Sequence, residues 1–160
     1  MESSGFADTG NNSDAVKNDE VLYRRVPNES LYYVRDPVSG INRPNSAAFS
    51  DRRFRPSVDR ATLRGFAPQK TQITDADGVA SITALQVRQL QFSHGAPVTT
   101  EYVADVEPVP VADNPAHAEI FARPTIYTET KNAFRKLAER LAREAKAWEI
   151  PPADLRMPTP

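Results

Sequence analysis

Hydrophobic and polar positions alternate most regularly between residues 98 and 109. In VTTEYVADVEPV, apolar or β-branched side chains fall on every second position, and acids occupy several of the positions between them. A period of two predicts a half-buried strand, which Pro108 and Pro110 would end.

Two further β-branched and aromatic runs, VLYRRV (21–26) and LYYVRD (31–36), flank the turn-forming residues PNES. We predict that these runs form a hairpin.

A helical period marks the C-terminal part of the chain. Between residues 129 and 149 the apolar side chains recur at intervals of three and four, which predicts about five turns of amphipathic helix. Thr128 or Thr130 could cap its start, and Ile150-Pro151 would stop it. A shorter helix is predicted after GVASI, where Thr83 and Gln86 have the spacing of a capping box. The stripe of the long helix includes Phe134, Leu137, Leu141 and Trp148.

These elements predict one α+β domain over residues 21–150. A small, mainly antiparallel sheet would be covered by the long C-terminal amphipathic helix and the one shorter helix. Residues 1–20 are acidic and poor in large apolar groups, which is typical of a disordered or partner-ordered tail. Residues 151–160 form a second, Pro-rich tail, because Pro151 and Pro152 cannot continue a helix.

Composition removes several classes of protein. The 160 residues include 14 prolines and 6 glycines, which argues for many short connections and against coiled coils and repeat arrays. No apolar stretch is long enough to span a membrane, and the polar N-terminus does not read as a signal peptide, so we expect a cytoplasmic protein. The chain has no cysteine, which excludes disulfides, thiolate metal sites and cysteine nucleophiles.

Charge is strongly segregated although the net charge is only −1. Residues 1–20 and 71–128 are acidic, whereas residues 21–70 carry ten bases against four acids, and nine of these bases are arginine. The arginines could pair with the acidic middle of the same chain, bind phosphate or nucleic acid, or bind an acidic protein. A pI near 6.1 argues against a dedicated DNA-binding protein. The candidate binding residues are Arg24, Arg25, Arg52, Arg53, Arg55 and Arg60.

The two histidines differ in interest. His94 lies in the turn-like SHGAP and is expected to be exposed and inert. His117 lies in DNPAHAEIF, either just after a helix start at Asn114 or on a strand that places it on one face with Glu119. A buried histidine with a structural hydrogen bond and a ligand-binding or catalytic histidine both fit this context. No metal-ligand spacing, dinucleotide fingerprint, phosphate loop or nucleophile elbow is present, so we predict neither metal nor cofactor.

One enzymatic constellation can still be drawn from the sequence. Arg24 on an early strand, Ser46 in a small-residue segment, and His117 with Glu119 could meet in one cleft. The arginine would hold a pyrophosphate, the serine would position a ribose, and the glutamate would polarise a hydroxyl or stabilise an oxocarbenium ion. This order of residue types is loosely similar to that of small ADP-ribosyltransferase-like domains.

Three stretches carry a second resemblance: LYRRVP, NSAAFSDRRFRPSVDRA, and GVASITALQVRQL followed by DNPAHAEI. They resemble a group of small bacterial proteins with no established activity, over roughly residues 21–122. The resemblance implies a bacterial-type cytoplasmic domain and an accessory role. The chain departs from the group in the length of the connection before NPAHAEI.

The leading functional hypothesis is a non-enzymatic accessory or adaptor protein. It would bind a protein partner or larger complex through the arginine-rich surface and through the helix stripe, whose candidate binding residues are Phe134, Leu137, Leu141 and Trp148. Segregated charge, a terminal amphipathic helix and the absence of any complete catalytic motif support this hypothesis. The alternatives are a small nucleotide-handling enzyme of transferase or hydrolase type, and a nucleic-acid-binding subunit.

Overall fold

A seven-stranded antiparallel sheet forms the body of the protein. The computed structural model describes residues 14–156, and within them the strand order is β6-β7-β8-β4-β1-β5-β9, with β2 and β3 forming a separate two-stranded ribbon. The strands are β1 (Val21–Val26), β2 (Tyr33–Arg35), β3 (Asn42–Pro44), β4 (Ser57–Arg60), β5 (Gly78–Thr83), β6 (Gln91–His94), β7 (Thr100–Pro108), β8 (His117–Arg123) and β9 (Ala147–Ile150). The regular alternation in 98–109 correctly predicted β7.

One long helix, α2 (Lys131–Glu144), follows a 3-10 turn at Thr128–Thr130 and packs on the sheet. The predicted α+β class, antiparallel sheet and long C-terminal helix are confirmed. The second covering helix is not found: α1 (Ala84–Arg88) is a single five-residue turn, because the chain enters β6 three residues later. The capping box of Thr83 and Gln86 does form at its start. No helix in the described range is long and apolar enough to cross a membrane.

The two faces of the sheet differ in chemistry. The face under α2 carries the main core, in which β1 contributes Leu22 and Val26 and the 3-10 turn Ser46–Phe49 contributes Phe49. Side chains on the opposite face are largely polar near the middle of the sheet, where Asp59 and Glu119 are both buried. Because successive residues of a strand point to opposite faces, the polar face collects the odd-numbered residues of β4 and β8.

The predicted hairpin of 21–26 with 31–36 is wrong. β1 pairs with β4 and β5, whereas β2 pairs with β3. The residues PNES lead into a 3-10 turn at Ser30–Tyr32, which directs the chain away from the sheet. β1 is a central strand whose backbone is satisfied by two strands that are distant in the sequence, and no local sequence signal reveals these partners.

The predicted helix of 129–149 is too long at its C-terminal end. α2 stops at Glu144, and Ala147–Ile150 forms β9, which pairs with β5. Trp148 is therefore a strand residue that packs against the core, and its indole Nε1 donates to the Asn42 carbonyl at 3.1 Å. Its spacing fits the helical stripe, but pairing along the free edge of β5 prevails over that local preference.

Both ends of the described chain pack on the domain. Val16 is buried in the main core, and the buried Glu20 carboxylate pairs with Arg60. At the other end Pro152 is fully buried, and the backbone N–H of Asp154 donates to the Asn28 side chain. Residues 14–20 and 151–156 thus belong to the folded part, while the remainder of the two predicted tails, 1–13 and 157–160, lies outside the described residues.

Candidate functional site

A cleft of about 610 Å³ opens beside β1 and β4. The two strands pair only at Leu22–Arg60 and Tyr23–Asp59, and residues beyond those pairs line the cleft. The turn Ser46–Phe49 and the residue Ser50 contribute one wall, and the segment 64–73 another. Its volume lies in the range of small-molecule sites, roughly 300–1,000 Å³.

Arg24 is the most deeply placed cation of the cleft. Its guanidinium donates to three backbone carbonyls: Nε to Ala48 at 2.8 Å, Nη1 to Ser57 at 2.7 Å and Nη2 to Ser50 at 3.2 Å. The guanidinium also lies over the ring of Phe49, 5.7 Å from its centroid. Burial lowers the pKa of Arg24 to about 10, which still leaves the group charged at neutral pH. Among residues 14–156 it has no carboxylate partner, so its charge is not neutralised by an ion pair.

Three further cations border the same cleft. Arg25 pairs with Asp77, with 3.4 Å between Nη1 and Oδ2, and Arg64 donates through Nε to Asp59 at 3.1 Å. The ammonium group of Lys70 is exposed and has no partner in the described part of the chain.

The charges of the lining do not cancel. The lining holds four cations and the carboxylates of Asp59 and Asp113. Arg25 and Arg64 pair with Asp77 and Asp59, so among residues 14–156 Arg24 and Lys70 are the cations of the cleft that have no ion pair. A concave surface with excess positive charge attracts anions, because the low-dielectric walls focus the field.

Asp59 organises the floor of the cleft. It lies between Tyr23 of β1 and His117 of β8 in the strand register, so the three side chains form a row on one face. Its Oδ1 accepts from Asn114 Nδ2 and its Oδ2 accepts from Thr71 Oγ1, both at 2.8 Å. These bonds join the covering turn Pro68–Thr71 to the sheet.

His117 combines a structural hydrogen bond with a position on the cleft. Its Nδ1 lies 2.9 Å from the Val109 carbonyl, and because a carbonyl only accepts, Nδ1 carries a proton. In the neutral ring Nε2 is then an acceptor, and it has no hydrogen-bond partner among the described residues. Of the two elements considered for this segment, the strand forms: His117 is the first residue of β8.

The four residues of the predicted catalytic constellation do not converge. Arg24 and His117 line the same cleft, whereas Ser46 lines a different hollow beside Phe134. Glu119 is buried beneath two arginines and does not line the cleft. Two of the four side chains are therefore outside the site in which they were expected to act.

Glu119 belongs to a charge network on the polar face. It accepts from Arg55 Nε at 2.6 Å and from Arg53 Nη2 at 2.9 Å. Burial alone would raise the pKa of Glu119, but these hydrogen bonds outweigh burial and leave the pKa below its ordinary value. Arg55 also pairs with Glu107, and its guanidinium lies 4.8 Å from the ring centroid of Phe121. An ionised carboxylate held in this way stabilises the sheet.

The predicted arginine-rich surface is mostly used within the protein. Arg25, Arg53, Arg55 and Arg60 make ion pairs with acids of the same chain, and Arg24 binds carbonyls. Arg52 is exposed, and its guanidinium makes no hydrogen bond or ion pair with residues 14–156, so it is the member of the set that is available to a partner.

The apolar stripe of the long helix is also used internally. Phe134, Leu137 and Leu141 are buried against the sheet, and Trp148 is half-buried on β9. These four side chains were predicted as binding residues. In the fold the three on α2 are core residues, because the helix stripe covers the apolar face of the sheet, and Trp148 packs against the same core from β9.

Sequence reasoning missed the residues that complete the cleft. Asp59, Thr71 and Asn114 come from three separate segments, and only the sheet register brings them together. Lys70 and Arg64 lie in or beside a segment without hydrophobic period. The one sequence feature that sets Lys70 apart is that it is the only lysine among the ten bases of residues 21–70.

Comparisons with known proteins do not add a relative. No protein-family model matches the chain, and neither a curated protein nor a solved structure matches it. The resemblance to small bacterial proteins stays an expectation, and the cleft is interpreted from its own geometry.

Proposed function

We propose that this protein is a non-enzymatic binding protein whose cleft beside β1 and β4 holds a small phosphate-bearing molecule. The observation that carries the proposal is the excess of cations in one cavity of ligand size: Arg24, Arg25, Arg64 and Lys70 against two carboxylates. Arginine presents several N–H donors in a planar fork that matches phosphate oxygens, and lysine adds a point charge.

Binding is favoured over catalysis by the positions of the candidate catalytic groups. Ser46 and Glu119 lie outside the cleft, so the transferase or hydrolase chemistry drawn from the sequence lacks two of its four groups there. The non-enzymatic character of the leading sequence hypothesis is therefore retained, with a small anion in place of the arginine-rich contact surface.

The test uses inorganic pyrophosphate as the probe and isothermal titration calorimetry as the readout. Lys70→Glu should weaken binding about tenfold or more, because a charge-assisted hydrogen bond contributes about 1.5–3 kcal/mol and the new carboxylate repels the probe. Lys70 is exposed, and its ammonium group has no partner among residues 14–156, so the substitution breaks no hydrogen bond or ion pair within that range. Lys146→Glu is the matched control, since it makes the same change of charge at an exposed lysine outside the cleft.

Two results would count against the proposal. Pyrophosphate that does not bind the unmodified protein at millimolar concentration removes the anion site. An equal loss of affinity in Lys70→Glu and Lys146→Glu shows that only the net charge of the protein matters.

A second candidate function, binding of a protein partner, is favoured by the β2–β3 ribbon. Four exposed aliphatic side chains lie on or beside the ribbon, with Val38 at 95% and Ile41 at 65%. Exposed apolar groups of this kind are enriched where proteins associate. The four residues are Leu31, Val34, Val38 and Ile41.

The partner-binding candidate predicts a position-specific loss of association. A partner that co-purifies at a fixed ratio with the tagged protein should be lost with Val38→Asp combined with Ile41→Asp. It should be retained with Val98→Asp, which introduces an aspartate at a residue that is 78% exposed and belongs neither to the ribbon nor to the cleft lining. Retention by the double variant would exclude the ribbon as the contact surface.

A further inference from the structure

We infer that the ligand of the cleft carries hydroxyl groups beside its phosphate, so that it is a phosphorylated sugar, either free or as part of a nucleotide. This inference rests on the proposed function, because it concerns the second half of the same ligand. It assigns the imidazole of His117 as the group that accepts from a ligand hydroxyl.

The cleft holds acceptors as well as cations. His117 Nε2 has no partner among the described residues, and its ring is fixed because Nδ1 donates to the Val109 carbonyl. Asp59 is its neighbour in the strand register and presents a carboxylate to the same cavity. Three hydrogen bonds, from Asn114, Thr71 and Arg64, hold that carboxylate in place.

A ligand made only of phosphate would not satisfy this lining. At neutral pH a phosphate offers mainly acceptor oxygens, so it gains nothing from an acceptor nitrogen and is repelled by a carboxylate. A hydroxyl group is the complementary partner, since it donates to an acceptor and can itself accept. The two sets of lining groups also come from different parts of the fold: Arg24 and Arg25 from β1, and His117 from β8.

The volume supports the same conclusion. About 610 Å³ is far more than an isolated phosphate ion fills, and it is large enough to hold a sugar ring as well. Tyr32 also borders the cavity and could lie against the apolar face of a sugar or a base.

The deciding variant is His117→Asn. Its side-chain amide nitrogen takes the place of Nδ1 and can still donate to the Val109 carbonyl, while the Nε2 acceptor is removed. Ribose 5-phosphate and inorganic pyrophosphate are titrated into the unmodified protein and into this variant. We expect His117→Asn to weaken binding of ribose 5-phosphate about three- to tenfold, the range for loss of one hydrogen bond, and to leave pyrophosphate binding unchanged.

The reciprocal variant, His117→Gln, separates positioning from contact. It restores a polar atom near Nε2 and loses the bond to Val109, so part of the lost ribose 5-phosphate affinity should return.

Adenosine 5′-monophosphate identifies the source of the sugar. Tighter binding than ribose 5-phosphate favours a nucleotide, and equal or weaker binding favours a free sugar phosphate.

The failures are distinguishable. If His117→Asn affects pyrophosphate as much as ribose 5-phosphate, or affects neither, the hydroxyl subsite is wrong while the phosphate site stands. If the unmodified protein binds neither probe, the proposed function fails and the subsite with it. Melting temperatures of both variants show whether a loss of affinity reflects a loss of fold.

Discussion

Arg24 shows why residue type alone does not identify a binding residue. The sequence placed it among the candidates for holding a ligand, and it does line the cleft, but most of its donors are already bonded to carbonyls. Its guanidinium connects β1, the turn that ends at Phe49, and β4. The guanidinium therefore contributes positive charge to the cleft, while its hydrogen bonds hold together the segments that line the cleft.

Chemical denaturation can measure how much Arg24 contributes to the free energy of unfolding. Arg24→Met should lower the free energy of unfolding by about 2–4 kcal/mol, since three carbonyls lose a charged donor. Arg52→Met is the control, because Arg52 is exposed and unpaired in the described residues, and its effect should stay within about 0.5 kcal/mol. A loss for Arg24→Met as small as that of the control would mean that the three bonds do not support the fold.

Glu119 predicts an acid-sensitive stability. Its folded-state pKa lies below the unfolded value of about 4.3, so the ionised carboxylate stabilises the fold above that pH. The stabilisation is lost as the pH falls through the lower, folded-state pKa. The pKa values of Glu20, Asp77 and Asp105 are also lowered, with hydrogen bonds outweighing burial in each case, and they add to the same loss.

A substitution can isolate the contribution of Glu119 to the pH dependence of stability. Glu119→Gln should be less stable than the unmodified protein at pH 7 and should lose less stability between pH 7 and pH 3, as followed by urea denaturation at each pH. Glu139→Gln, at an exposed position on α2, should leave the pH dependence unchanged. Parallel curves for Glu119→Gln and the unmodified protein would contradict the assignment.

At the scale of elements, the strands and helices whose formation depends only on local side-chain spacing were predictable from the sequence. The alternation of β7, the capping box before α1 and the apolar stripe of α2 each follow from local side-chain spacing. β9 and the partners of β1 depend on which distant edge is free, and that information is not local. The cleft was missed for the same reason, since its floor is a row across three strands.

The helix stripe makes the clearest prediction at this scale. Leu137 is fully buried between α2 and the sheet, so Leu137→Ala should lower the free energy of unfolding by about 2–5 kcal/mol through lost burial and a residual cavity. Leu85→Ala, on α1, should cost less than about 1 kcal/mol because Leu85 is 43% exposed. Similar losses for the two variants would contradict a core role for the stripe.

At the scale of the whole molecule, the charge segregation of the sequence reflects internal pairing across the fold. Arg60 reaches Glu20 of the N-terminal segment, while Arg55 reaches Glu107 and Glu119 of the acidic middle. Two cations of the cleft, Arg24 and Lys70, have no ion pair among the described residues, and a ligand is expected there. Counting charges along the sequence could show the imbalance but not where it is left unpaired.

The C-terminal segment is held by a close approach to β5. A Cβ at Gly78 would lie 2.6 Å from Cδ of Pro152 and 2.8 Å from its backbone nitrogen, so Gly78→Ala must displace the segment. We expect a loss of about 1–3 kcal/mol in the free energy of unfolding. The loss should be smaller in a Pro152→Ala background, which removes two of the three clashing atoms. An equal loss in both backgrounds would show that the contact is not the cause.

The central claim is that the cleft beside β1 and β4 is an anion-binding site, and the most direct measurement is an NMR titration of the ¹⁵N-labelled protein with inorganic pyrophosphate. The account predicts that the amide shifts concentrate at Arg25, Ser50, Lys70 and His117, and that Lys70→Glu suppresses them. Shifts that gather instead around Arg53 and Arg123, or that stay absent up to millimolar pyrophosphate, would contradict it.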